Sequence, residues 1–173
     1  MIVRIRWRMP LPVFSYPIGP APRTAVLVPG FRSRGSVRVF PDGWNEAARR
    51  YAPEAIAATL HQFGSLIELG IPAPSHAVIV ISVADGPRLT DSDRERLWAA
   101  FRVPVFEQVI SRRGELLATD CAAHGGLHLE SPSFPMTEAE LDTSRCACGR
   151  TTPRLRLTNS GTIIGIARGG FCK

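Results

Sequence analysis

The hydrophobic positions change period along the chain, and each change marks an element. Residues 2–8 (IVRIRWR) alternate apolar and arginine from Val3 onward, which predicts a half-buried strand. Pro10, Pro12, Pro17, Pro20 and Pro22 then hold residues 9–23 extended and non-helical. Two short apolar runs follow: Thr24–Val28 stops at Pro29-Gly30, and Ser36–Phe40 stops at Pro41-Asp42-Gly43, a turn sequence. The pattern therefore divides the chain into a proline-rich arm or small sheet over 1–43 and an α/β domain over 44–173.

A helix is predicted from near Trp44, with Pro53 interrupting it or opening a second one. Ile56, Leu60, Phe63 and Ile67 recur at helical spacing and define a core-facing stripe, which Gly70 and Pro72 end. The run His76–Val83 is almost wholly apolar, as in a parallel strand buried on both faces. Thr90-Asp91-Ser92-Asp93 reads as an N-cap with acids in the first turn. The helix behind it should bury Leu97, Trp98 and Phe101, and Val103–Val109 is the next strand. Strand, capped helix and strand make a βαβ unit, expected right-handed. Glu115–Thr119, Leu127–Glu130, Leu155–Leu157 and Thr162–Ile166 are further strand candidates, the last two joined by an Asn159-Ser160-Gly161 turn. Residues 131–145 are polar, with one helical turn expected at Thr137–Leu141.

Composition adds a sizeable core, at 45% hydrophobic residues, and a net charge of +6. Residues 1–43 are strongly basic, which suits an acidic partner. Because 20 of the 21 basic residues are arginine along the whole length, the bias reads as compositional, and a nucleic-acid partner is the weaker reading. No apolar run near the start is long enough for a signal-peptide core or a membrane span, so a soluble, cytoplasmic protein is expected.

The cysteines state a chemistry. Cys121 begins C-A-A-H-G-G-L-H, and Cys146 and Cys148 stand in C-A-C-G-R. A C-x-C pair supplies two thiolates at little entropic cost, with Gly149 allowing a tight backbone. Cys121 supplies a third, and His124 or His128 the fourth ligand of a closed, structural zinc site, the shorter spacing favouring His124. The same atoms could make a Cys121–His124 nucleophile pair, but they are better explained as ligands. Cys172, His61 and His76 receive no role, and no G-x-S-x-G, P-loop or H-E-x-x-H motif is present.

Residues 81–157 also resemble a segment of the phenylacetate–CoA ligase branch of the adenylate-forming enzymes. The matching pieces are A-D-G-P-R-L-T, the helix D-S-D-R-E-R-L-W-A-A-F, V-P-V-F-E-Q, L-L-A-T-D-C-A-A-H-G-G-L-H and C-A-C-G-R-T-T-P-R-L. The resemblance implies a subdomain of the ligase α/β fold and a zinc ligand set of Cys121, His128, Cys146 and Cys148. It also implies departures. The family's Ser/Thr/Gly-rich phosphate loop has no counterpart. Its Y-G-x-[ST]-E segment falls on Val109-Ile110-Ser111-Arg112-Arg113, so a valine replaces the aromatic near adenine. Arg113 replaces the glutamate linked to metal and ATP, a charge reversal where magnesium would sit. The family's C-terminal domain, with its adenylating lysine, is not expected in the 16 residues after Leu157. The expectation is thus a reduced, non-catalytic relative acting in binding or assembly, toward a protein partner or an acyl- or nucleotide-like ligand. A minimal or trans-completed ligase, or a zinc-containing nucleic-acid module using Arg145, Arg150, Arg154 and Arg156, are the alternatives.

Overall fold

The computed structural model describes residues 11–134 and 140–156. The alternating stretch 2–8, Leu157, the Asn159–Gly161 turn, the Thr162–Ile166 run and Cys172 lie outside them. The elements are β1 (Thr24–Val26), β2 (Val37–Val39), α1 (Glu46–Tyr51), β3 (Ala55–Ala58), α2 (Leu60–Glu68) and β4 (Ala77–Val83). Then come α3 (Asp91–Phe101), β5 (Val105–Ile110), β6 (Leu116–Thr119), β7 (Leu127–Leu129), β8 (Glu140–Asp142) and β9 (Arg154–Arg156). The strands make one sheet in the order β2-β1-β3-β4-β5-β6-β7-β9-β8, so β1 and β2 join the same sheet as the strands after residue 43.

The sheet has two halves that meet at β5. From β2 to β5 every pairing is parallel, and from β5 to β8 every pairing is antiparallel. The parallel half is covered on both faces. On one face Ala25, Ile56, Val78 and Val80 pack with Phe63 and Leu66 of α2 and Leu97 and Phe101 of α3. On the other, Val26, Ala57, Ile79 and Phe106 pack with Phe14 and Phe31, while Tyr16, Ile18 and Ala21 flank them. The proline-rich arm thus supplies part of the second cover, as an extended segment without helix. Gln108 Nε2 donates to Ser15 O at 2.6 Å, and the Arg32 backbone N–H donates to Pro12 O at 3.0 Å.

Local sequence explains the helix ends. Asn45 caps α1 by accepting from the backbone N–H groups of Ala47 and Ala48. Thr59 with Gln62, and Thr90 with Asp93, form capping boxes on α2 and α3. Two expectations fail here. The stripe beginning at Ile56 is not one helix: α1 stops at Tyr51, Ala52 turns left-handed at φ 48°, and Ile56 lies in β3. The small residues of Ala-Ile-Ala-Ala let β3 thread between β1 and β4, completely buried. Trp98 is 53% exposed and not core, its ring covered by the Arg102 guanidinium at 4.5 Å. Leu97 and Phe101, four residues apart, form the buried line alone. Of the helical turn expected at Thr137–Leu141, residues 137–139 lie outside the described residues, and Glu140 and Leu141 belong to β8 and pair with β9. Among the described residues no helix is long and apolar enough to cross a membrane.

Replacing Leu97, fully buried between α3 and the sheet, by alanine should lower stability by about 2–5 kcal/mol. Trp98→Ala should cost no more than about 0.5 kcal/mol. Urea unfolding of the two variants checks the assignment of the buried face.

Candidate metal centre

The antiparallel half carries the cysteines. Cys121 follows β6, His128 lies in β7, and Cys146 and Cys148 lie in the β8–β9 connection. Register does the positioning. His128 pairs with Thr119, two residues before Cys121, and also with Arg154 of β9. The sheet therefore brings the ends of both cysteine-bearing connections to one imidazole. Close approach of β7 to β9 requires glycine at the strand entry. A Cβ on Gly126 would lie 2.4 Å from Leu155 O, and its φ of 116° is one that side chains rarely adopt.

The ligand atoms of Cys121, His128, Cys146 and Cys148 all lie within 4.8 Å of one another. Cys121, His128 and Cys146 are buried, and Cys148 is half-buried. The two contacts that fix the shape are Cys121 Sγ to Cys146 Sγ at 3.7 Å and Cys148 Sγ to His128 Nε2 at 3.4 Å. Bonds of about 2.3 Å to sulfur and about 2.05 Å to nitrogen give tetrahedral edges of about 3.8 Å and about 3.6 Å. These two edges are already close to those values, and the other four are within 4.8 Å. His128 Nδ1 donates to Thr152, at 2.9 Å to Oγ1 and 3.2 Å to the carbonyl, which leaves Nε2 as the lone-pair nitrogen facing the thiols. Three sulfurs and one imidazole form a soft donor set, suited to a thiophilic metal and not to magnesium or calcium.

The thiols are unequal. The backbone N–H of Cys148, with hydrogen bonds from Cys148, His128 and Cys121, lowers Cys146 to about 6, whereas burial pushes Cys121 up to about 11. His124 stands outside the cluster. It takes a left-handed φ of 47°, stacks on Phe106 with ring centres 5.1 Å apart, and turns Nδ1 toward Asp120 at 3.4 Å. The short C-x2-H spacing misleads because the turn after Cys121 carries His124 away, while the strand carries His128 back.

Sequence reasoning missed the groups around the cluster. Asp120 is buried, accepts from the Cys121 backbone N–H at 2.9 Å, and is held by Arg94 at 2.9 Å. Arg94 also donates to Val105 O at 3.0 Å, tying the cysteine to α3 and β5. Glu107 is fully buried near Arg88, with Nε to Oε1 at 3.6 Å. The only sequence signal for these was an acid directly before a ligand cysteine. The arginines near the C-x-C are in part internal. Arg154 is buried against Asp142, Ser144 and the Gly125 carbonyl, and Arg150 binds Glu130 at 2.8 Å and Pro17 O at 3.2 Å. Of the four arginines offered for nucleic acid, Arg154 is buried, Arg150 half-buried and Arg145 exposed, and the burial of Arg156 lies outside what is described.

A second feature lies at the carboxyl ends of β1, β4 and β5. A cavity of about 710 Å³ there is lined by Val28, Gly30, Asp85, Ile110, Arg112 and Arg113, among others. The parallel strands run in the order β2-β1-β3-β4-β5, and open sheets of this kind take ligands at their carboxyl edge. Arg112 pairs with Asp85 at the rim, Nε to Oδ2 at 2.9 Å.

No family profile and no curated protein matches the sequence. Solved structures do match. The fold is that of part of an adenylate-forming ligase. The structures compared are of 2-hydroxyisobutyryl-CoA ligase. Its open conformation with 2-HIB-AMP and CoA gives a TM-score of 0.56 at 14% identity over 80% of this chain. Its thioesterification state with the same ligands gives 0.53 at 14% over 80%, and its postadenylation state with R3-HIB-AMP gives 0.50 at 12% over 78%. This chain spans 44%, 43% and 42% of those chains respectively, so the likeness is one of fold over under half of the ligase. At this identity the likeness is one of fold and does not separate the phenylacetate–CoA branch from other ligases of this fold.

His128→Ala should weaken metal binding at least about 100-fold, and His124→Ala should leave it within about threefold, by competition with a chromophoric chelator. Because metal binds the thiolate, protons compete with it. Cys121, pushed up to about 11, gives up a proton to the metal throughout this range, and Cys146, near 6, adds another below about pH 6, so affinity should fall as pH falls and more steeply below about pH 6. The same competition followed between about pH 5 and about pH 7 checks it.

Proposed function

We propose that this chain is a zinc-clasped α/β binding or assembly unit, built on part of the adenylate-forming ligase fold and not itself activating carboxylates. The observation that carries the reading is the cluster of Cys121, His128, Cys146 and Cys148, with edges of 3.7 Å and 3.4 Å. Zinc, when bound, supplies a closed cross-link with no coordination position left for substrate. Cys121 and the C-x-C loop anchor the two connections, His128 ties them to β7, and Thr152 orients the imidazole. The C-x6-H and C-x-C-G-R pieces support a place near the phenylacetate–CoA ligase branch.

The non-catalytic part of the reading rests on the carboxyl edge of the sheet. Val109 is buried in β5, and Arg113 puts positive charge where the family carries a glutamate for metal and ATP, with Arg112 beside it paired to Asp85. A cavity of about 710 Å³ with that charge suits an acyl- or nucleotide-like anion held without magnesium-assisted transfer. A protein partner completing the site is the other form of the same role.

Purified protein should contain one zinc per chain and catalyse no ATP–pyrophosphate exchange above background with any carboxylic acid offered. Exchange that depends on this chain would instead make it an enzyme. Substoichiometric metal after expression in zinc-supplemented medium would remove the clasp.

A further inference from the structure

Three thiols gathered around one imidazole are also an oxidation site, and the cluster distinguishes among its sulfurs. Cys121 Sγ and Cys146 Sγ are 3.7 Å apart and both buried, while Cys148 Sγ, within 4.8 Å of each, is half-buried and rests on His128 Nε2 at 3.4 Å. A disulfide needs its sulfurs at about 2.05 Å, so the first pair must close by about 1.7 Å, a movement within the reach of side-chain rotation. Cys146 and Cys148 have a single residue between them. Their loop is held in a tight turn by Gly149 N–H to Cys146 O at 2.9 Å and Cys146 N–H to Arg150 O at 3.4 Å. Joining those two would break that turn. Cys148, half-buried, is the most exposed of the three thiols.

We infer that the clasp is a peroxide-sensitive site, in which Cys121 and Cys146 form a disulfide and the metal is released. This rests on the metal reading above. The step balances with one peroxide per site. Each of the two sulfurs gives up one electron, the S–S bond forms, and the O–O bond breaks. Two protons from the thiols, or from solvent where the metal had displaced them, leave with the oxygens as two waters, and the metal departs as a dication.

The consequence is local. The disulfide joins the same two connections that the metal joins, so the end of β6 stays fixed to the β8–β9 loop. What is freed is the Cys148–Thr152 side. Arg150 in that stretch holds Pro17 of the arm, and together with Thr152 lines a polar cavity of about 300 Å³ with Ser15, Tyr16 and Gln108. Oxidation would therefore loosen the contact between clasp and arm while the sheet persists.

The test uses full-length, metal-loaded protein carrying Cys172→Ser, titrated with hydrogen peroxide. Metal release is read with a chromophoric chelator, and disulfides by non-reducing peptide mapping. The expected result is one metal released per peroxide consumed and a single Cys121–Cys146 crosslink. Far-ultraviolet circular dichroism should be retained, and thiol reductant plus metal should reverse the change. Cys148→Ser should still form the crosslink, and Cys146→Ser should not. Metal retained through excess peroxide, or a crosslink mapped to Cys146–Cys148, would overturn the inference. If the protein carries no metal at the outset, the clasp reading of the preceding section fails, and the peptide map alone decides whether Cys121 and Cys146 pair.

Discussion

Four side chains from three separate segments meet at one point on the antiparallel half of the sheet, and that meeting constrains everything around it. β7, β8 and β9 are three residues each, too short to be stable as isolated hairpins. Their own core is small, with Val109, Leu117, Leu127, Phe134 and Leu155 as its main members. Cys121, His128, Cys146 and Cys148 meet at this thin end, where a bound metal would tie it together. Arg94 and Asp120 connect the tie to α3 and β5, and hence to the larger core of the parallel half. The ligand-atom spacing is therefore set by β-register on one side and by a half-buried ion pair on the other.

The parallel half solves a different problem. Its two faces both need cover, and helices α2 and α3 serve only one of them. The extended arm serves the other, using Phe14 against Phe31 with ring centres 5.9 Å apart and carbonyls of Pro12, Ser15 and Pro17 as acceptors. Prolines suit this task because an extended segment without backbone donors does not require a neighbouring strand. The arm reaches the C-x-C loop through Arg150, so the cover of this face touches the candidate metal centre.

Much of this was legible in the sequence where a long element had a single period. His76–Val83, the Thr90 cap and Val103–Val109 correspond to β4, α3 and β5, because a buried strand run and a capping box are local signals. Ile56 was not legible. Its spacing to Leu60 and Phe63 matches a helix by coincidence across a strand-to-helix turn, and alanine-rich β3 has no β-branched run to announce it. Trp98 misled because the largest side chain on a helix was assumed to be buried. At the site, the cysteines were evident from spacing. The choice between His124 and His128 depends on pairing with β6, a non-local fact that only the resemblance hinted at. Asp120 was marked only by its place before Cys121, and Arg94 and Thr152 gave no usable signal, since their roles arise from contacts across the fold.

The central claim is that three named thiolates and one strand-borne imidazole form a closed metal shell. Zinc-edge X-ray absorption on the loaded protein tests it most directly. The account predicts three sulfurs at about 2.3 Å and one nitrogen at about 2.05 Å, with the imidazole signal lost in His128→Ala and retained in His124→Ala. A four-sulfur shell, an oxygen-rich shell, or an imidazole signal that follows His124 would contradict it.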